Sequence, residues 1–173
     1  MERITLEQAA RATGGTAYGM AEINSISIDT RKVQPGDLFI CIRGERFDGH
    51  AFAQQAADNG AIALMTDHLL DVSLPQVVVE NTGKAMLELA HWYRRQFTLP
   101  VVGLTGSVGK TTTKEFVALV MSAKYKTLKT EDNYNNEIGL PLTILRYQDE
   151  EVMVLEMGMN LSLIHISEPT RPL

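Results

Sequence analysis

Eight consecutive residues, Thr105, Gly106, Ser107, Val108, Gly109, Lys110, Thr111 and Thr112, constrain this chain more than any other feature. They lie between an apolar run at 101–104 (VVGL) and a segment at 110–123 rich in Phe116, Val117, Leu119 and Val120. That order reads as buried strand, glycine-rich turn, helix, which is the repeating unit of an α/β fold. Gly106 and Gly109 let the backbone turn its N–H groups inward with no Cβ in the way, and a helix N-terminus adds partial positive charge. Lys110 is placed to reach the β and γ phosphates of a nucleotide. The Thr111 hydroxyl stands where such loops ligate Mg²⁺. The motif therefore predicts binding of ATP or a close relative. The longer form G-x-x-x-x-G-K-[ST] would need glycine at position 104, where this chain has Leu104.

The remaining pattern alternates strands and helices. Thr5 and Gln8 make a helix-capping box, and Gly14 and Gly15 supply the stop. Residues 23–29 (INSISID) alternate apolar and polar as one half-buried strand, 38–42 is a continuous apolar strand, and Pro35, Gly36 and Asp37 mark the turn between them. A helix at 51–59 ending at Gly60, a strand at 61–65 and a buried strand at 76–80 follow. Met86, Leu89, Ala90, Tyr93 and Phe97 share one face of a predicted helix over 84–97, read as a bridge between two domains. A strand near 126–129, a helix near 137–145 and an apolar strand at 152–155 complete the series.

Glu156 follows the strand 152–155 as the glycine-rich turn follows 101–104. In a parallel sheet the two open on one edge, where a carboxylate can join Thr111 at a metal. Taken alone, a glutamate ending a strand is more often a solvated surface residue. Asn133, Asn135 and Asn136 precede a helix, where amides cap or turn the chain; the other reading has an amide meeting the nucleotide. After the early strands come two polar loops, 29–31 (DTR) and 44–50 (GERFDGH), which are either plain connections or, through Thr30, Arg31, Gly44 and Asp48, a diphosphate site. His50 is expected as a capping or surface histidine, with a pH-sensitive contact as the alternative.

Composition narrows the function classes. A net charge of −5 with no cluster of Lys and Arg speaks against nucleic acid as a partner. Glu2, Arg3 and Glu7 interrupt the start where a signal peptide needs an apolar core, and no later run approaches the roughly 18 apolar residues of a membrane span. A cytoplasmic location without a membrane span is expected, with the chain a monomer. Cys41, the single cysteine, sits in an apolar run and is expected to be buried and inert.

Five stretches in order carry a resemblance: 29–39 (DTRKVQPGDLF), 44–50 (GERFDGH), 105–115 (TGSVGKTTTKE), 133–143 (NYNNEIGLPLT) and 155–159 (LEMGM). Together they resemble the Mur ligases of bacterial peptidoglycan synthesis, nearest the branch that adds D-alanyl-D-alanine. The resemblance spans residues 1 to about 160. It implies a small α/β UDP-substrate domain at 1–83, followed by the first part of a mostly parallel α/β ATPase domain at 84–160. The implied chemistry is phosphorylation of the terminal carboxylate of a UDP-N-acetylmuramoyl-tripeptide by ATP, then attack by the amine of D-alanyl-D-alanine. By the same resemblance Lys110 stabilises the transferring phosphoryl group, Thr111 and Glu156 bind Mg²⁺, Asn135 and Asn136 lie near the nucleotide, and Thr30, Arg31, Gly44 and Asp48 lie near the uridine diphosphate. Family members continue past the 155–159 motif, whereas 162–173 (SLIHISEPTRPL) departs from the family pattern. A truncated gene with a non-native tail over 161–173 is the expectation, and with it a chain that is inactive alone and leaves apolar faces uncovered. The alternatives are another Mur or folylpolyglutamate-type ligase, or a module that holds nucleotide or UDP-sugar without chemistry.

Overall fold

The computed structural model describes residues 1–44, 47–131 and 134–158. Expectations for Glu45, Arg46, Asn133 and the segment 161–173 lie outside the described residues. The chain divides into two compact units, with the boundary between Leu89 and Ala90.

The first unit opens with β1 (Ile4–Thr5) and α1 (Leu6–Thr13). The capping box forms as read: Thr5 accepts from the Gln8 backbone, Gln8 returns a bond to the Thr5 N–H, and Gly14 closes the helix at φ 65°. Next come β2 (Thr16–Tyr18), β3 (Glu22–Ile23), β4 (Ser25–Ser27), β5 (Asp37–Ile40), α2 (Ala53–Asp58), β6 (Ala63–Thr66) and β7 (Gln76–Val78). Five strands form one sheet in the order β2-β7-β6-β5-β4, parallel except for β2 against β7. The single strand expected over 23–29 is corrected to two strands in different sheets: β3 pairs with β1, and β4 pairs with β5. Asn24 is the break between them, its N–H taken by Gly36 O at 3.0 Å. Phe39, Cys41, Ala53, Ala56, Ala61 and Leu64 form a core cluster between the sheet and α2. Two buried polar side chains tie turns to that sheet. Asp37 accepts from Ser25 Oγ and from Gln34 N–H, and Gln76 exchanges two bonds with the Leu70 backbone at 3.0 and 2.8 Å.

The helix expected over 84–97 is α3 (Thr82–Arg94). It starts earlier because Asn81 Oδ1 accepts from the Lys84 N–H and Thr82 Oγ1 is anchored on Cys41 O. It stops earlier because the buried Arg94 guanidinium donates to Phe97 O and Leu99 O, capturing carbonyls of the exit turn.

The second unit is built on β8 (Val101–Leu104), α4 (Lys110–Ser122), β9 (Thr127–Lys129), α5 (Gly139–Leu145) and β10 (Val152–Glu156). Its three strands are parallel in the order β8-β10-β9. Central β10 is buried along its whole length. The buried strand expected at 101–104 is corrected: among the described residues β8 lies at the sheet edge and is only half-buried, with Gly103 exposed. Helix α4 buries Lys114 and Ala118 while Phe116, Leu119 and Val120 are 65%, 70% and 71% exposed, an apolar face left uncovered as expected.

Candidate functional site

In the second unit the parallel register decides where chemistry can collect. Leu104 and Glu156 are direct partners across β8 and β10, so the turn after β8 and the end of β10 share one sheet edge. Residues 105–109 make that turn, and α4 begins at Lys110. Gly106 and Gly109 hold φ of 144° and 76°, which L side chains rarely adopt. A Cβ at either would meet nothing within 4 Å, so backbone conformation rather than crowding demands glycine there and the cradle stays open. Thr105, Ser107, Val108, Thr111 and Thr112 are exposed around it. The first N–H groups of a helix have no intrahelical acceptor, and here they face this turn at the positive end of α4. Lys110 folds back onto the loop and donates to Gly106 O at 2.5 Å.

Glu156 proves to be the last residue of β10 rather than a solvated residue beyond it, and it is 1% exposed. Its N–H is held by Thr130 Oγ1 at 3.0 Å. Its Oε1 accepts from Thr111 Oγ1 at 3.3 Å and from Asn135 Nδ2 at 2.8 Å. Its Oε2 makes no hydrogen bond, and Lys114 Nζ lies 3.9 Å away. A buried carboxylate oxygen without a donor is costly. A hard divalent cation takes oxygen ligands such as a carboxylate and a hydroxyl, so Glu156 with Thr111 fits Mg²⁺. Asn135 and Asn136 separate in role: Asn135 reaches Glu156, whereas Asn136 Oδ1 caps α5 through the N–H groups of Ile138 and Gly139. Two contributors escaped the sequence reading, Thr130 and Lys114. Lys114 had a signal, because its spacing of three and four residues from Thr111 and Lys110 sets all three on one helix face.

In the first unit β4, β5 and β6 are parallel, so the loops that follow them also share an edge. Asp29 caps a 3-10 turn, Thr30–Lys32, accepting from the Arg31 N–H while the Arg31 guanidinium grips both its oxygens. That grip holds the Asp29 carboxyl down to about 2. Asp48 likewise caps Gly49–Phe52 through the His50 N–H, and this bond, with the His50 side chain and Arg43, holds it to about 2. Gly44 N–H is taken by Phe47 O at 2.9 Å. His50 is corrected from a surface residue to a buried connector: Nδ1 meets Asp48 Oδ1 at 2.5 Å, and Nε2 accepts from the Asp67 N–H at 3.1 Å. Arg43 spans Asp48 and Asp67 at 3.0 and 3.3 Å. Thr30 and Arg31 thus sit on one loop of this edge, Gly44 and Asp48 on the next. Cys41 is buried, and burial pushes its thiol up to about 12, as an inert thiol requires.

Two family models match this chain one after the other: the Mur ligase family catalytic domain over residues 22–102 and the Mur ligase middle domain over 104–170. The chain belongs to the Mur ligase family. It is 44% identical over 162 residues to the UDP-N-acetylmuramoyl-tripeptide–D-alanyl-D-alanine ligase of Escherichia coli, a match that covers 92% of this chain and 36% of that protein. Among solved structures it superposes on MurF of Acinetobacter baumannii with a TM-score of 0.90 at 35% identity, covering 98% of this chain and 40% of that one. MurF of Thermotoga maritima, solved in complex with ADP, matches with a TM-score of 0.74 at 37% identity, over 84% of this chain and 36% of that one. This Mur ligase chain therefore spans a little over a third of the length of the relatives it matches. Among the described residues no helix is long and apolar enough to cross a membrane.

Proposed function

We propose that this chain supplies the UDP-substrate domain (1–83) and the ATP-binding part (84–160) of a ligase that adds D-alanyl-D-alanine to UDP-N-acetylmuramoyl-tripeptide. The carrying observation is the convergence of Lys110, Thr111 and the buried, underbonded Glu156 on one sheet edge. In this reading the backbone N–H groups of residues 105–112 wrap the ATP phosphates. Lys110 exchanges Gly106 O for a phosphate oxygen and stabilises the charge on the transferring phosphoryl group. Thr111 and Glu156 hold Mg²⁺, and Asn135 fixes the carboxylate that does so. When bound, Mg²⁺ offsets the charge on the phosphate oxygens.

The overall reaction forms an acyl phosphate on the terminal carboxylate of the tripeptide, with ADP leaving. The D-alanyl-D-alanine amine then displaces phosphate to form the amide. Thr30, Arg31, Gly44 and Asp48 border the uridine diphosphate in this reading, on loops already shaped by the Asp29 and Asp48 caps. Location in the cytoplasm follows from these substrates, and the product serves cell-wall synthesis.

Isothermal titration of the 173-residue chain with Mg-ATP, and separately with UDP-N-acetylmuramoyl-tripeptide, tests the reading. Each ligand is expected to bind one site independently of the other. Absence of Mg-ATP binding by a folded chain contradicts it. Binding of nucleotide without the tripeptide substrate would confine the function to a nucleotide module.

A further inference from the structure

Lys114 is fully buried on the face of α4 that carries Lys110 and Thr111, one turn further along. Its Nζ lies 3.1 Å from Glu115 Oε1 and 3.9 Å from Glu156 Oε2, and Glu115 pairs in turn with Lys129. A row of alternating charge, Glu156, Lys114, Glu115, Lys129, thus runs from the interior to the surface. Desolvating a lysine is expensive, and buried lysines are retained only where they are paired. Of its two carboxylate neighbours, Glu115 is exposed and Glu156 is buried, and Glu156 is the carboxylate that the nucleotide reading assigns to Mg²⁺.

We propose that Lys114 is a built-in counter-cation for Glu156, which keeps the empty site from loading a divalent cation until nucleotide phosphates arrive with it. The inference rests on the nucleotide reading of this site. A lone divalent cation approaching Glu156 meets the Lys114 charge in a low-dielectric setting, where repulsion between like charges is strong. Glu115 offsets that charge only in part, because it is surface-exposed and shared with Lys129. Arrival of a cation together with several phosphate charges reverses the balance. Lys114 is then a positioning residue: it acts through Glu156 and touches no phosphate.

The test is titration of the whole chain with Mn²⁺, followed by the electron paramagnetic resonance signal of the free ion, with and without ADP. Wild type is expected to take up Mn²⁺ with ADP and far more weakly without it. Lys114→Met should raise affinity for Mn²⁺ alone at least about tenfold, since one unit charge near the site is removed. Lys114→Arg, which keeps the charge, should behave as wild type, and adding Glu156→Gln to Lys114→Met should abolish the gain. A purely packing role would lower the melting temperature of Lys114→Met and leave uptake of the bare ion unchanged, which overturns the proposal. If Lys114→Met does not fold, Lys114→Gln carries the same expectation. Failure of wild type to bind Mn²⁺ with ADP sinks the nucleotide reading itself, whereas Mn-ADP binding with no effect of Lys114 sinks only this inference.

Discussion

Both units place polar loops at the carboxyl ends of parallel strands, and they treat the polar groups there differently. In the first unit the loops close on themselves. Asp29 is held by Arg31, Asp48 by His50 and Arg43, and Asp67 by Arg43 and His68. In the second unit the turn at 105–109 presents backbone donors at a helix start, Lys110 donates to its own loop carbonyl, Gly106 O, and Glu156 keeps one oxygen without a hydrogen bond. Three buried side-chain atoms among the described residues lack such a bond, Thr66 Oγ1, Arg94 Nε and Glu156 Oε2, and of these only the last belongs to a carboxylate. The lesson is that a self-satisfied loop gives a rigid border for a ligand, while an unsatisfied one states which ligand chemistry it lacks.

The comparison breaks most sharply at Lys110. Lys110→Ala should weaken ADP binding roughly 100-fold, the scale of a lost hydrogen bond between charged groups, and leave binding of the UDP-linked tripeptide unchanged in parallel titrations. Equal loss of both ligands would mean that the substitution damaged folding rather than the phosphate site. Next in size is Glu156→Gln, which keeps the shape and removes the charge. Nucleotide affinity should fall about tenfold in Mg²⁺ and change little in EDTA, a split that a packing defect does not produce. Asn135→Ala removes one donor to Glu156 and should act in the same direction at about fivefold, the scale of a single net hydrogen bond.

The smallest effect belongs to the first unit and is read with pH. Asp29 and Asp48 have folded values near 2, below the ordinary 3.8. A depressed carboxylate contributes stability above its unfolded value, and that contribution is lost as pH falls through the folded one. The Arg31 amide resonance, which reports Asp29, should therefore hold its position from pH 7 to about 4 and shift as pH falls through about 2. Asp29→Asn with Asp48→Asn should flatten that limb. Persistence of the limb in the double variant would assign the acid transition to other carboxylates.

Much of this was legible from residue order. The glycine-rich turn, its strand and helix, the capping box at Thr5 and Gln8, and the inert Cys41 each follow from local chemistry that a sequence displays. What failed depends on neighbours far along the chain. Residues 23–29 alternate properly for one strand, yet Ile23 pairs with Ile4 and Ile26 with Leu38, partners no local pattern reveals. The run at 101–104 is as apolar as a buried strand, and its place at the sheet edge depends on β10 taking the centre. His50 reads as a loop histidine until Asp67 is brought beside it by the β5–β6 pairing. Burial of Glu156 and Lys114 is likewise invisible locally, because each is costly without the other.

The most direct measurement of the central claim is amide hydrogen exchange across the chain, with and without Mg-ADP. If the turn after β8 is the phosphate site, amides of residues 106–111 should gain protection on binding while those of residues 47–52 stay unchanged. Nucleotide binding that left 106–111 unprotected, or protected only the first unit, would contradict the assignment.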